Sequence, residues 1–236
     1  MADTIIAKDG QPVKVPANVG PIFVPTTDML NPAAYAVNVN GVMEAISQPL
    51  YSYQSYPAVG TAQPLQFFQS QPIGTVTQED TNMQLPGQLP SPQSFLIQGI
   101  GVDYLPGTAV GRFGAQSALG QIADFYAIMR RGVLTLTIGS KDYLTIGPLM
   151  QVPTRSHING VAAASDQTTP GATMQTFFSV GYSDGPVYTP RPLLIPPSQN
   201  FRVTLAWPAG AVAIPSADAA ARIGVSLYGT LYRPAQ

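Results

Sequence analysis

Proline interrupts the first ninety-odd residues so often that no long helix can form there. Pro12, Pro16, Pro21, Pro25, Pro32, Pro49, Pro57, Pro64, Pro72, Pro86, Pro90 and Pro92 fall at irregular short intervals. Each removes a backbone donor and biases the residue before it away from the helical region. What remains between them is short and apolar: Ile22-Phe23-Val24, Ala36 to Val42, and Leu65 to Phe68. These pieces read as extended chain with brief strands, and a short turn is allowed near Asn31 to Tyr35. The whole chain of 236 residues holds 24 Pro and 22 Gly, without a repeat, so neither collagen nor a simple linker fits. Turn residues spread in this way belong to an all-β chain of many short strands.

Charge is the second constraint. Only 10% of the residues are charged, against about 25% in an ordinary soluble domain. Between Lys14 and Arg112 there is no lysine or arginine at all. Up to Ser94 acids outnumber bases six to two, and from Phe95 bases outnumber acids nine to six. A surface this poor in charge is suited to being covered, and further copies of the same chain are the expected cover. Net charge is −1 with no run of basic residues, so strong direct binding to nucleic acid is not expected.

Composition changes near residue 94. Residues 1–94 read as an extended Pro/Gln/Tyr-rich N-terminal arm with short strands. Its aromatic rings, among them Phe23, Tyr51, Tyr53, Tyr56, Phe67 and Phe68, are anchors for lying along a neighbour, so it lacks the aromatic-poor signature of disorder. Residues 95–236 read as the folded β domain. Phe95 to Leu105 predicts a strand with Phe95, Ile97, Gly99 and Gly101 on one face. Leu96, Ile100, Val102 and Tyr104 load the other, and Pro106-Gly107 ends the run. Leu119, Ile122, Ala123, Tyr126 and Met129 recur at helical spacing. They predict one helix from Ser117 to Arg131, with Gly132 as its stop. Val133 to Ile138, Gly139-Ser140 and Tyr143 to Ile146 read as a hairpin. Further strands are expected at 156–163, 174–182, 199–207 and 222–232. Irregular strand spacing with one helix inserted fits a Greek-key sandwich or jelly roll better than an up-and-down barrel.

Little in the chain could carry catalysis. There is no cysteine and one histidine, His157. A cupin-type metal site needs several imidazoles, and no nucleophile elbow lies near His157. Glu79-Asp80 is the one adjacent acidic pair, set in a polar stretch that reads as a solvated loop. Gly99-Ile100-Gly101 and Gly111 to Gly114 do not complete a phosphate-binding fingerprint. Arg130-Arg131, the sole local basic cluster, reads as complementing the helix dipole, with contact to nucleic acid or lipid head groups as the alternative. Trp207, the lone tryptophan, reads as a core or interface anchor, with sugar stacking as a minor alternative. No enzyme activity, cofactor or metal is expected. No signal peptide and no membrane-spanning helix are expected either.

The C-terminal half carries a resemblance. Its helix end runs Asp124-Phe125-Tyr126-Ala127-Ile128-Met129-Arg130-Arg131-Gly132, directly into Val133-Leu134-Thr135-Leu136-Thr137-Ile138-Gly139-Ser140-Lys141-Asp142-Tyr143. Ile195-Pro196-Pro197-Ser198-Gln199-Asn200-Phe201-Arg202-Val203 follows, and then Ile223-Gly224-Val225-Ser226-Leu227-Tyr228-Gly229-Thr230-Leu231-Tyr232-Arg233. Over residues 95–233 this resembles virion structural proteins of bacteriophages, in particular jelly-roll capsid proteins of tailless icosahedral particles. The resemblance implies a single eight-stranded jelly roll, with a double roll as the variant, that forms capsomers and then a shell. It implies a virion location after assembly in the host cytoplasm. Copies of itself, other virion proteins, minor capsid proteins or an internal membrane would be its partners. Inter-subunit contact is then expected from Phe23, Tyr51, Tyr53, Tyr56, Phe67, Phe68, Arg130 and Arg131. The alternative reading is a phage spike, fibre or carbohydrate-binding host-recognition module, with an aromatic groove around Trp207 and Tyr228.

Overall fold

The computed structural model describes residues 4–6, 12–14, 37–38, 41–105, 124–154, 157–164, 175–181, 187–214 and 220–234. They are mostly β, in two main antiparallel sheets with one helix and two outlying strand pairs. The strands are β1 (Thr4–Ile6), β2 (Pro12–Lys14), β3 (Val37–Asn38), β4 (Gly41–Ser47), β5 (Leu50–Tyr56), β6 (Leu65–Phe67) and β7 (Ser94–Leu105). After helix α1 (124–131) come β8 (Val133–Ile138), β9 (Lys141–Ile146), β10 (His157–Ala164), β11 (Gln175–Gly181), β12 (Leu193–Ile195), β13 (Phe201–Ala206) and β14 (Ala221–Pro234).

The six-stranded sheet runs β12-β7-β14-β4-β3, with β5 also paired to β14. The four-stranded sheet runs β6-β13-β8-β9. β1–β2 and β10–β11 form separate pairs. β4 and β5 behave as one strand along β14: Ser47 faces Thr230 and Leu50 faces Leu227 in a single register. The ladder to β14 is interrupted at Gln48-Pro49 and resumes in the same register.

The division expected at residue 94 is therefore not a division of the sheets. β4 and β5 supply the six-stranded sheet and β6 the four-stranded one, all from the segment read as an arm. The strand at Leu50–Tyr56 was masked in the sequence by its tyrosines and serines and by a proline on either side.

β7 departs from its expected pattern for a definite reason. Tyr228 pairs with Gly99 and Gly229 with Ile97, which leaves Gln98 as the extra residue of a bulge. One extra residue reverses the in–out phase of a strand. Phe95 and Ile97 before the bulge, and Ile100, Val102 and Tyr104 after it, thus all enter the same core. They meet Ile223, Val225, Leu227 and Leu231 of β14. From the other sheet come Phe67, Leu134, Leu136, Val203 and Leu205, all fully buried. Tyr56 packs edge-on against Trp207 at 5.1 Å, and Phe68 lies 5.5 Å from Phe201.

Only 124–131 of the expected helix lies within the described residues. Ile128 and Met129 are buried, while Tyr126, expected on the inner face, is 51% exposed. Gly132 ends the helix as expected, its N–H bonding to the Ile128 carbonyl. A Cβ at Gly132 would strike the Leu149 side chain, so glycine is also what lets Leu149 pack there. The hairpin turns at Gly139, whose φ of +63° suits glycine.

Candidate interaction surfaces

The outer face of the six-stranded sheet carries an ordered polar and aromatic tile. Tyr53 faces Gly224 on β14, and Gly224 faces Asp103 on β7. A Cβ on Gly224 would fall inside the Tyr53 ring. The ring thus lies across the glycine, and its hydroxyl donates to Asp103 Oδ2 at 3.2 Å. Tyr228 lies beside Gly99 and Gly101, which Val187 and the 153–154 backbone also approach, and its hydroxyl is 3.3 Å from Thr154 Oγ1. Arg222 stacks over Tyr53, 5.3 Å from the ring centre.

Burial sets the electrostatics of this tile. It raises the Asp103 carboxyl above its ordinary value, and the bonds from Tyr53 and from the Tyr104 backbone only partly offset it. Burial, then the neighbouring Asp103 charge, raises the Tyr53 hydroxyl.

A strap of residues 77–82 crosses the outer edge of β5. Asn82 Oδ1 accepts from the Tyr51 N–H at 3.0 Å, and Asn82 Nδ2 donates to the Pro49 carbonyl at 2.8 Å. Its side chain stands in for a neighbour strand along the open edge beside Pro49 and Tyr51. The Tyr53 N–H reaches the Asp80 carbonyl at 2.6 Å, and the Tyr51 hydroxyl donates to the Gln78 carbonyl at 2.5 Å. Arg222 pairs with Asp80 at 2.5 Å. The Thr77 backbone N–H at 2.9 Å is the main cause that holds the Asp80 carboxyl below its ordinary value, with the Thr77 hydroxyl and Arg222 adding to it. An exposed edge is a template for unwanted pairing, and the strap closes this one. Glu79-Asp80 is thus part of a structural strap. Among the described residues no cluster of three or more His, Asp or Glu could hold a metal.

Beside the strap lies an open groove of about 630 Å³, lined by Tyr51, Gln71, Ile73, Gln78, Met83 and Gln84, among others. At another place two loops are joined into one uncharged surface. The Ile214 N–H bonds to the Ala58 carbonyl at 2.8 Å, and the Tyr56 hydroxyl donates to the Val212 carbonyl at 2.6 Å. Neither 57–64 nor 207–214 contains a charged residue, and Val59 is 80% exposed.

The contact residues expected from sequence divide into three groups. Tyr51 and Tyr53 are half-buried on the outer tile, and Arg130 and Arg131 are exposed at the end of α1. Tyr56, Phe67 and Phe68 are fully buried in the chain's own core, so they are corrected from inter-subunit contacts to core residues. Hydrophobic rings flanked by prolines gave no sign of which partner would bury them. Phe23 lies outside the described residues, and so do the side-chain surroundings of His157.

The aromatic groove expected around Trp207 and Tyr228 is not formed. Trp207 is buried, and its Nε1 donates to the Ile128 carbonyl at 3.1 Å. The strap, the Asn82 bridge and the amide-rich groove gave no sequence signal beyond a polar stretch. Among the described residues, no helix is long and apolar enough to cross a membrane. No family model, curated protein or solved structure matches this chain.

Proposed function

We propose that this protein is a virion coat subunit built on an eight-stranded jelly roll, and that it works by self-assembly without catalysis. The observation that carries this reading is strand order. Count β4–β5 as the first strand, then β6, β7, β8, β9, β12, β13 and β14 as the second to eighth. One sheet then runs 1-8-3-6 and the other 2-7-4-5. That interleaving is what two nested Greek keys produce in a jelly roll, an architecture of capsid and lectin domains and of cupins. With one histidine in 236 residues, a cupin's multi-imidazole metal site has too few ligands.

The roll on this reading spans 41–234, and what precedes it is shorter than the arm expected from sequence. Surface chemistry favours the coat reading over a free-standing domain. The joined loops 57–64 and 207–214 present Val59, Pro208, Ala209 and Ala211 to the outside without a charge. Surfaces buried in obligate assemblies are depleted of charge in this way. Contact in the particle then falls to those loops, to Tyr53 on the tile, and to Arg130 and Arg131. The partners are other copies and further virion proteins.

Multi-angle light scattering and negative-stain electron microscopy of the purified chain test this directly. Closed oligomers or particles are the expected result. A monodisperse monomer over a wide concentration range, with the sandwich folded, would remove the proposal.

A further inference from the structure

We propose that the groove between the strap and the 71–73 turn binds a neutral carbohydrate. The inference stands apart from the shell reading, because it rests on the chemistry of the groove alone. No lysine, arginine, aspartate or glutamate lines the groove, so an ionic ligand would find no partner there. What lines it is amide: Gln71, Gln78 and Gln84 stand around it, with Asn82 held in its wall. A glutamine amide offers both donors and an acceptor, which matches a hydroxyl that must do both. Pro72, Ile73 and Met83 supply the apolar part, and Ile73 is 64% exposed. A sugar ring presents the same pairing of C–H face and hydroxyl rim.

A peptide strand is the competing ligand, and the strap argues against it. Strand addition needs free backbone donors and acceptors along an edge. Along β5 the Tyr51 N–H is taken by Asn82 and the Tyr53 N–H by Asp80, while Ser52 bridges Thr81. Side-chain amides are therefore the main recognition groups left. The wall that carries them is set before any ligand arrives. Tyr51 holds the Gln78 carbonyl and Arg222 holds Asp80, so the backbone of the strap is tied to the sheet.

The test uses the full chain, labelled and passed over an array of neutral and anionic oligosaccharides, with Pro- and Gln-rich peptides as a further arm. The best neutral oligosaccharide is then titrated against the parent, a Gln71→Ala/Gln84→Ala double variant and Ile73→Ser. Neutral oligosaccharides are expected to bind. Losing two neutral hydrogen bonds should weaken binding about tenfold in the double variant. Thermal melting should be unchanged, because these side chains do not enter the core. Capture of no neutral oligosaccharide overturns the proposal, as does capture of anionic sugars or peptides alone. Equal affinity of the parent and both variants overturns it too. Particle formation is scored separately by microscopy, so failure here leaves the coat reading standing, and the reverse holds.

Discussion

Gly224 and Gly229 sit five residues apart on one strand and tolerate a methyl group very differently. At Gly229 a Cβ would fall on the Leu96 carbonyl oxygen, which belongs to the bulged backbone of β7. Neither partner can move without breaking the central ladder, so Gly229→Ala should cost about 3 kcal/mol, at the upper end of overpacking costs. At Gly224 the obstacle is the Tyr53 ring, which can swing away at the loss of its bond to Asp103. Gly224→Ala should therefore cost about 1–2 kcal/mol. Urea unfolding of the two variants checks the order, and equal costs would refute the bulge argument. Asp103 makes a second residue-scale case. Its folded pKa lies above its unfolded one. Between those values the folded state holds the extra proton, and stability falls as pH rises through that window. Asp80 has the opposite sign: its contribution is present above the ordinary carboxylate value and is lost as pH falls through its lowered folded value. Asp103→Asn keeps an acceptor for Tyr53 and removes the charge. It should be more stable than the parent at neutral pH, and the gap should shrink on acidification as the parent carboxylate takes up its proton. Unfolding curves at several pH values read this out, and a gap that does not change with pH would count against burial as the cause.

Elements are where sequence and structure agree most and where they part for physical reasons. Alternation with a glycine turn made β8–β9 readable, because a two-residue hairpin is a local decision. The long final strand was readable from its apolar alternation alone. β5 was not, because its outward residues are Tyr51, Tyr53 and Ser55, and its inward Ser52 and Gln54 are polar. Only pairing to β14, some 170 residues along the chain, makes it a strand. Sequence separation also hid the role of Phe68, which packs on Phe201, has a φ of +67° that is unusual for a bulky residue, and has a fully buried ring. If Phe67 and Phe68 served only a neighbouring copy, their removal would spare the fold and impair assembly. As core residues, Phe67→Ala or Phe68→Ala should instead destabilise the sandwich by about 3–5 kcal/mol. Calorimetry under conditions that keep the chain unassembled separates these outcomes. The strap gives a sharper element-scale prediction. Asn82→Ala removes both side-chain bonds that cap the edge at Pro49 and Tyr51 and leaves the core untouched. Amide exchange at Tyr51 and Tyr53 should accelerate, while that of β14 facing β7 should stay slow. Uniform acceleration across the sheet would mean that the strap is not a separate unit.

For the whole molecule, the scarcity of charge that stood out in the sequence decides how assembly should respond to salt. Contacts built from lysine and carboxylate weaken as ionic strength rises, since exposed charges more than about 10 Å apart are screened at 0.1 M salt. This chain has 23 formally charged side chains in 236 residues, 11 basic and 12 acidic. Two of its exposed loops, 57–64 and 207–214, have none. The ion pairs among the described residues, Arg222–Asp80 and Arg233–Glu44, join strands or straps of the same chain. Surfaces of this kind attach through apolar area and uncharged hydrogen bonds. Sulfate, which is excluded from protein surfaces, strengthens such burial, whereas sodium chloride should do little. The expected outcome is an oligomer or particle whose midpoint of assembly is nearly unchanged between low and high sodium chloride and moves to lower protein concentration in sulfate. Light scattering at matched ionic strengths measures both shifts. Disassembly by sodium chloride alone would instead assign the contact to charged residues, with Arg130 and Arg131 as the first to replace. It would also separate the scarcity of charge in the chain from the proposed role as a coat subunit.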